Sequence, residues 1–185
     1  PVKIIVPIKQ VPETSNVKMD PATGTMVREG VEPIINPLDL YAIEAGVTLK
    51  EQHGGQVTAI SMGPQKAKLA IKEAIAMGCD DGVLLCNRAF AGADTWATSY
   101  VLAMAIRKLG TFDLVLCGER ATDGDTGQVG PGIATWLGIP FATYISKVEP
   151  ADGGGLHLER MVENGYELLE IQSPCLLTVV KEISY

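Results

Sequence analysis

Cysteine and histidine are scarce in this sequence, and they stand apart from one another. The cysteines are at positions 79, 86, 117 and 175. They form no Cys-X-X-Cys pair, and the two histidines, His53 and His157, lie alone in polar surroundings. A cysteine-based metal site needs such residues at short, regular spacings. We therefore expect buried, reduced thiols in a cytoplasm-like compartment, and surface roles for both histidines.

Long apolar runs and basic clusters are missing as well. No run approaches the roughly 20 apolar residues of a membrane helix, and no basic segment precedes a short apolar run in the manner of a secretory signal. The basic residues are scattered and the net charge is −7, which argues against a surface for nucleic acid. A hydrophobic content of 46% in 185 residues is enough for one globular domain with a substantial core.

The common catalytic motifs are also absent. The sequence has no nucleophile elbow, no His-Glu-X-X-His and no Walker A loop, and Gly-X-Gly-X-X-Gly does not follow the first strand. We therefore assign no catalytic residue. The chain is better explained as the binder of a cofactor that supplies its own chemistry.

Apolar strands alternate with helical segments through residue 138. Strands are predicted at residues 2–8, 56–62, 81–86 and 112–117, and helices at 36–54, 65–77, 94–109 and from the 118–131 loop to 138. Asn36 can cap the first helix, with Pro37 at its first position. This order predicts an α/β fold, a Rossmann-like three-layer sandwich with a mainly parallel sheet.

The pattern changes after Pro140. Short strands are predicted at residues 143–148, 155–162, 166–171 and 175–180, separated by glycine-rich turns. They predict an antiparallel meander that completes the domain. A small hairpin is predicted earlier, between residues 17–19 and 25–28.

The most informative stretch runs from Glu119 to Gly138 and contains four glycines before or within a helix, at positions 124, 127, 130 and 132. Pro131 favours the first turn of that helix, so the helix is predicted to begin between residues 125 and 130. Unpaired amides at such a start, without side-chain bulk, favour an anionic ligand such as phosphate. The alternative is an ordinary turn capped by Asp125 or Thr126. Asp123 and Asp125 could hold a metal, but carboxylates in such turns more often bind backbone amides.

Ligands of open α/β sheets bind beyond the carboxyl ends of the strands. Here those ends supply residues 8–10, 62–64, 86–88 and the 118–131 loop. The sequence therefore predicts that these four segments meet at one edge of the sheet.

Several stretches resemble the beta subunits of electron-transfer flavoproteins. They are Val-Pro-Ile-Lys-Gln-Val-Pro (6–12), Asn-Pro-Leu-Asp-Leu-Tyr (36–41), Ser-Met-Gly-Pro (61–64), Ala-Met-Gly-Cys-Asp (76–80), Asp-Leu-Val-Leu-Cys-Gly (113–118) and Asp-Gly-Asp-Thr-Gly-Gln-Val-Gly-Pro (123–131). The run from Arg160 to Thr178 resembles the family's C-terminal signature, from which Asn164 departs mildly. The resemblance covers essentially the whole chain.

This resemblance implies a heterodimer with an alpha subunit that carries an FAD. The beta subunit's own nucleotide is either a structural AMP or a second FAD. The 123–131 loop and residues 11–17 resemble the electron-bifurcating branch, in which the FAD of the beta subunit takes hydride from NADH. The partners implied are an acyl-CoA dehydrogenase or a similar enzyme, and a ferredoxin or flavodoxin. The location implied is the prokaryotic cytoplasm or the mitochondrial matrix.

Carried over by position, the resemblance implies a set of nucleotide-binding residues. They are Ile8, Asn36, Pro37, Leu38, Asp39, Met62, Asp123, Gly124, Asp125, Thr126, Gly127, Gln128, Val129, Gly130 and Pro131. The amides of 126–130 would bind phosphate, and Ile8 and Met62 would face adenine. Arg88 and Thr95 are weaker candidates for contact with a flavin ring.

Family members continue past this point with a dehydrogenase-recognition loop and an arm around the alpha subunit. Because Tyr185 precedes both, we expect a fragment or a short form, with residues 1–185 as a single adenine-nucleotide-binding domain. Two alternatives stay open. One is a conventional single-electron carrier that holds AMP, and the other is a non-redox adenine-nucleotide module similar to the universal stress proteins.

Overall fold

A computed structural model of the chain describes residues 1–13, 18–24, 26–27, 32–124 and 126–184. The strands are β1 (Val2–Pro7), β2 (Gln10–Pro12), β3 (Lys18–Met19), β4 (Met26–Val27), β5 (Pro33–Ile35), β6 (Gly55–Met62), β7 (Asp81–Leu85), β8 (Leu114–Gly118), β9 (Phe141–Pro150), β10 (Gly155–Val162), β11 (Gly165–Gln172) and β12 (Cys175–Val179). The helices are α1 (Pro37–His53), α2 (Lys68–Ala76), α3 (Thr95–Leu109) and α4 (Val129–Leu137). Short 3₁₀ turns cover Gln65–Ala67, Arg88–Phe90 and Lys181–Ser184.

Eight strands form the main sheet, in the order β11-β10-β9-β12-β8-β1-β6-β7. Every pair from β9 through β12, β8, β1 and β6 to β7 is parallel. The β9–β10–β11 meander is antiparallel and extends one edge. The predicted α/β class, with a mainly parallel sheet and antiparallel strands near the C-terminus, is confirmed.

One strand departs from the prediction. The segment near 175–180 is not the fourth strand of the meander, because β12 lies between β8 and β9 and is parallel to both. All five of its residues are buried. A central position explains this, since a strand covered by helices on both faces needs an unbroken apolar run.

Alternation along the central strands builds the three layers. Ile4 and Val6 of β1 face the core beside α1 and α2, whereas Ile5 faces the core beside α3 and α4. In β8, Leu116 faces the core beside α1 and α2, and Val115 faces the core beside α3 and α4. Because successive side chains of a strand point to opposite faces, an unbroken apolar strand supplies both cores.

Smaller elements flank this sandwich. The predicted hairpin is present as the pair β3–β4, although residues 17, 25 and 28 of that prediction lie outside the described residues. The helix predicted at 65–77 begins with the 3₁₀ turn Gln65–Ala67. Within the described part of the chain, no helix is long and apolar enough to cross a membrane.

Candidate functional site

A cleft lies beyond the carboxyl ends of β1, β6 and β8, and its volume is about 290 Å³. It is lined by Pro7, Ile8, Lys9, Asn36, Asp39, Met62, Phe90, Gly92, Ala93, Thr95, Thr98, Leu102, Cys117, Gly118, Glu119, Arg120, Ala121, Gly124, Thr126, Gly127, Gln128, Val129 and Gly130. The structure thus brings three of the four predicted strand ends to one place. The fourth segment, after β7, reaches the cleft through Phe90 and its neighbours, and not through 86–88.

Most residues singled out for nucleotide binding line this cleft. They are Ile8, Asn36, Asp39, Met62, Gly124, Thr126, Gly127, Gln128, Val129 and Gly130. Pro37, Leu38, Asp123 and Pro131 are described but are not among the lining residues, and Asp125 lies outside the described residues. Of the two weaker candidates, Thr95 lines the cleft and Arg88 does not.

The 118–131 segment, called the glycine loop below, runs into α4. This helix begins at Val129, as predicted, with Pro131 in its first turn. Gln128 holds the N-cap position and makes no side-chain capping bond. The first amides of α4 have no partner within the helix. Asp125, one of the two predicted caps, lies outside the described residues.

The four glycines of this stretch have two different roles. Gly127 adopts a φ of 62°, which favours glycine, and faces the cleft with Gly124. A Cβ on Gly130 would lie 3.0 Å from Thr178 Cγ2, and one on Gly132 would collide with Ser99. The expectation that all four glycines admit a ligand is therefore too broad, because Gly132 serves helix packing and Gly130 also packs on β12.

Asn36 connects the start of α1 to the glycine loop. Its Nδ2 donates to the carbonyl oxygen of Arg120 at 2.8 Å, and its Oδ1 accepts from the amide of Thr122 at 3.1 Å. Asn36 is buried and makes no side-chain capping bond to α1. The predicted cap is therefore wrong, because the side chain is turned to the loop.

Asp39 is a buried carboxylate at the base of the cleft, with 7% of its surface exposed. Its Oδ2 accepts a hydrogen bond from the Lys9 amide at 2.8 Å. Burial raises the pKa of Asp39 from 3.8 to about 7, against the opposing effect of that hydrogen bond. Gly118 lies against this turn of α1, where an added Cβ would be 2.9 Å from the Asp39 nitrogen.

Lys9 reaches across the cleft mouth to the loop. Its Nζ is 2.7 Å from Asp123 Oδ1, and both side chains are partly exposed. Such a pair contributes at most about 1 kcal/mol to stability. Among the described residues, no group of three His, Cys, Asp or Glu side chains is arranged to hold a metal ion.

The cysteines are free, and Cys79, Cys117 and Cys175 are buried whereas Cys86 is exposed. Burial raises the pKa of the Cys79 and Cys175 thiols to about 11 and also raises that of Cys117. These buried thiols stay protonated, so even Cys117 in the cleft wall is an apolar contact surface.

Sequence reasoning missed one wall of the cleft. Phe90, Gly92 and Ala93 follow β7, and Thr98 and Leu102 lie on α3. The available signal was position, because this segment follows the carboxyl end of a parallel strand. Thr95 Oγ1 and Gln128 Oε1 are 3.3 Å apart, which joins the start of α3 to the glycine loop.

The fold is a mainly parallel α/β domain with a cleft at the carboxyl ends of its strands. The family model "Electron transfer flavoprotein domain" matches residues 23–184. An electron transfer flavoprotein subunit beta of Thermoanaerobacterium thermosaccharolyticum is 53% identical over 181 residues, which is 98% of this chain and 69% of that protein.

Two further relatives belong to named reductase systems. The caffeyl-CoA reductase-Etf complex subunit CarD of Acetobacterium woodii is 49% identical, over 98% of this chain and 70% of that protein. The acryloyl-CoA reductase electron transfer subunit gamma of Anaerotignum propionicum is 46% identical, over 97% of this chain and 68% of that protein. The chain belongs to the electron transfer flavoprotein family, among its beta subunits.

Proposed function

We propose that this chain binds FAD in the cleft and acts in an electron-bifurcating flavoprotein, paired with an alpha subunit that carries a second FAD. The observation that carries the proposal is the glycine loop itself. Gly124 and Gly127 leave its backbone open to the cleft, and the first turn of α4 presents amides there.

The residues present fit an adenine nucleotide. Ile8 and Met62 supply apolar surface on one wall, and the loop from Thr126 to Gly130 supplies backbone donors for phosphate. Lys9 adds a positive charge at the mouth. The cleft thus offers apolar contact for a base and donors for an anion.

When bound, FAD would accept hydride from NADH and divide the electron pair between a low-potential ferredoxin or flavodoxin and the FAD of the alpha subunit. The chain's own residues bind and orient. Asn36 and Asp39 hold the loop and the β1 end in place, and buried Cys117 and Leu102 keep water from the inner wall.

The names of two relatives support the proposed class of partner enzyme. The reductase systems of CarD and of the gamma subunit suggest an acyl-CoA dehydrogenase or a similar enzyme as partner of this chain. The relatives are bacterial, which supports a cytoplasmic location. We also propose residues 1–185 as one nucleotide-binding domain, which spans 69% of the length of the Thermoanaerobacterium relative.

A second candidate is a conventional single-electron carrier whose beta subunit holds AMP. The cleft of about 290 Å³ has room for a ligand at the small end of the usual range, and its apolar wall and loop amides suit the adenine and phosphate that AMP and FAD share.

Acid release of nucleotide from the purified alpha/beta complex, with identification by mass and absorbance, separates the candidates. Two FAD per heterodimer support the bifurcating assignment. One FAD and one AMP support the conventional carrier. One FAD with no second nucleotide would contradict nucleotide binding by this chain in either form.

A further inference from the structure

Asn36 presents an unusual combination of position and contacts. It precedes α1, where asparagine is a favoured cap, and Pro37 disfavours a helical backbone at Asn36, whose φ is −49° and ψ is 119°. Yet its side chain bonds to residues 84 and 86 positions away, Arg120 and Thr122. Asn36 thus joins the start of α1 to the glycine loop through two side-chain hydrogen bonds.

The side-chain amide of Asn36 is buried and engaged within the protein, with 1% of the residue's surface exposed. One N–H donates to the Arg120 carbonyl, and the side chain also makes a hydrogen bond to the Asp39 carboxylate. The amide oxygen accepts from Thr122. An amide offers two N–H donors and an oxygen with two lone pairs, and at least one of each kind is engaged here. Because Asn36 is only 1% exposed, direct recognition of a nucleotide by this side chain would require these contacts to shift.

The same turn of α1 also holds the opposite wall. The backbone amide of Asn36 donates to the Lys9 carbonyl oxygen at 2.7 Å, and the Asp39 carboxylate accepts from the backbone amide of Lys9. The start of α1 therefore bonds to the end of β1 on one side and to the loop after β8 on the other. Two cleft walls that are far apart in sequence are fixed to one rigid element.

We propose that Asn36 is a positioning residue that holds the glycine loop in its nucleotide-binding shape before the nucleotide arrives. This rests on the proposed binding function of the cleft. The residue acts through the Arg120 carbonyl and the Thr122 amide and does not contact the nucleotide. If the loop holds its binding shape in only a fraction of the molecules, the apparent affinity for the nucleotide falls by that fraction.

Two substitutions separate this role from helix capping. Asn36→Ser keeps a residue that caps well but is too short to reach both loop groups. Asn36→Asp keeps the shape but replaces the donor with an oxygen facing the Arg120 carbonyl and the Asp39 carboxylate. Asp94→Ser is the matched control, because Asp94 does cap its helix, α3, by accepting from the Ala97 amide at 2.8 Å.

The test is amide hydrogen exchange, followed by mass spectrometry, on the alpha/beta complex freed of nucleotide. Titrations of the same proteins with FAD and with AMP accompany it. We expect the amides of residues 119–124 to exchange at least about tenfold faster in both Asn36 variants, and the nucleotide to bind about tenfold more weakly. Exchange in residues 40–53 should be unchanged, and the Asp94 control should match wild type in both measurements.

Three results would be decisive. If Asn36→Ser exchanges and binds nucleotide as wild type does, the proposal is overturned. Weaker binding without faster exchange would also overturn it, because that result indicates direct contact between Asn36 and the nucleotide. If wild type binds neither nucleotide, the proposed function fails, and the exchange rates alone still decide whether Asn36 holds the loop.

Discussion

The carboxylate of Asp39 accepts a 2.8 Å hydrogen bond from the backbone amide of Lys9 and so joins α1 to the end of β1 inside the cleft. Burial raises the pKa of this carboxyl to about 7 in the folded protein, from 3.8. The folded state therefore binds more protons than the unfolded state between about pH 4 and pH 7. Stability falls as the pH rises through that window.

Asp39→Asn should remove this pH dependence. From these two pKa values, wild type loses about 2–3 kcal/mol of unfolding free energy through Asp39 between pH 5 and pH 7.5. Urea unfolding at both pH values, for wild type and variant, isolates that contribution as a difference. Equal pH dependence in the two proteins would show that Asp39 titrates normally when folded.

Gly118→Ala should destabilise the fold, because the new Cβ would lie 2.9 Å from the Asp39 nitrogen and the Leu38 carbonyl carbon. Overpacking of this kind costs about 1–3 kcal/mol. Gly46→Ala, inside α1, is the control, since its Cβ would meet Val57 and Val6 at an ordinary 3.5 Å. That control should be neutral or gain up to about 1 kcal/mol. Denaturant midpoints compare the two, and equal midpoints would refute the close packing.

Gly127→Ala should weaken nucleotide binding more than it weakens the fold. At a φ of 62°, alanine costs about 1–2 kcal/mol, and a shift of the loop displaces its amides from the ligand. Gly138→Ala carries a similar backbone cost at a φ of 66° but lies at the far end of α4. Calorimetric titration with FAD should give at least about tenfold weaker binding for the first variant only. A matching loss in Gly138→Ala would attribute the effect to stability.

Lys9→Gln should reduce affinity for an anionic nucleotide a few-fold and flatten its dependence on salt, because a charge at the cleft mouth is lost. Asp123→Asn releases Lys9 from its 2.7 Å ion pair and should leave affinity equal or higher. Titrations at low and high ionic strength test both. Weaker binding in Asp123→Asn would mean that the ion pair itself supports the site.

Local patterns of the sequence were sufficient for the layered fold and for the position of the cleft. The nearly continuous apolar run of β1 predicts burial on both faces, and the glycine loop before Pro131 predicts the start of α4. The position of β12 could not be obtained from turn spacing, because strand pairing is decided by packing against distant elements. The sequence of β12, Cys-Leu-Leu-Thr-Val, is nevertheless almost entirely apolar, which is typical of a central strand.

The site was harder to predict in detail for the same reason. A residue before a helix and a proline looks like a cap, and only the folded chain shows that Asn36 bonds to a loop 84 residues away. Phe90 and its neighbours carry no motif, so their place in the cleft depends on how the segment after β7 folds back.

The most direct test of the account is an anaerobic titration of the purified alpha/beta complex with NADH, followed at the flavin absorbance band. The account predicts bleaching that corresponds to two flavins per heterodimer, beginning with the flavin held in this cleft. A complex with one flavin that NADH leaves oxidised would contradict it.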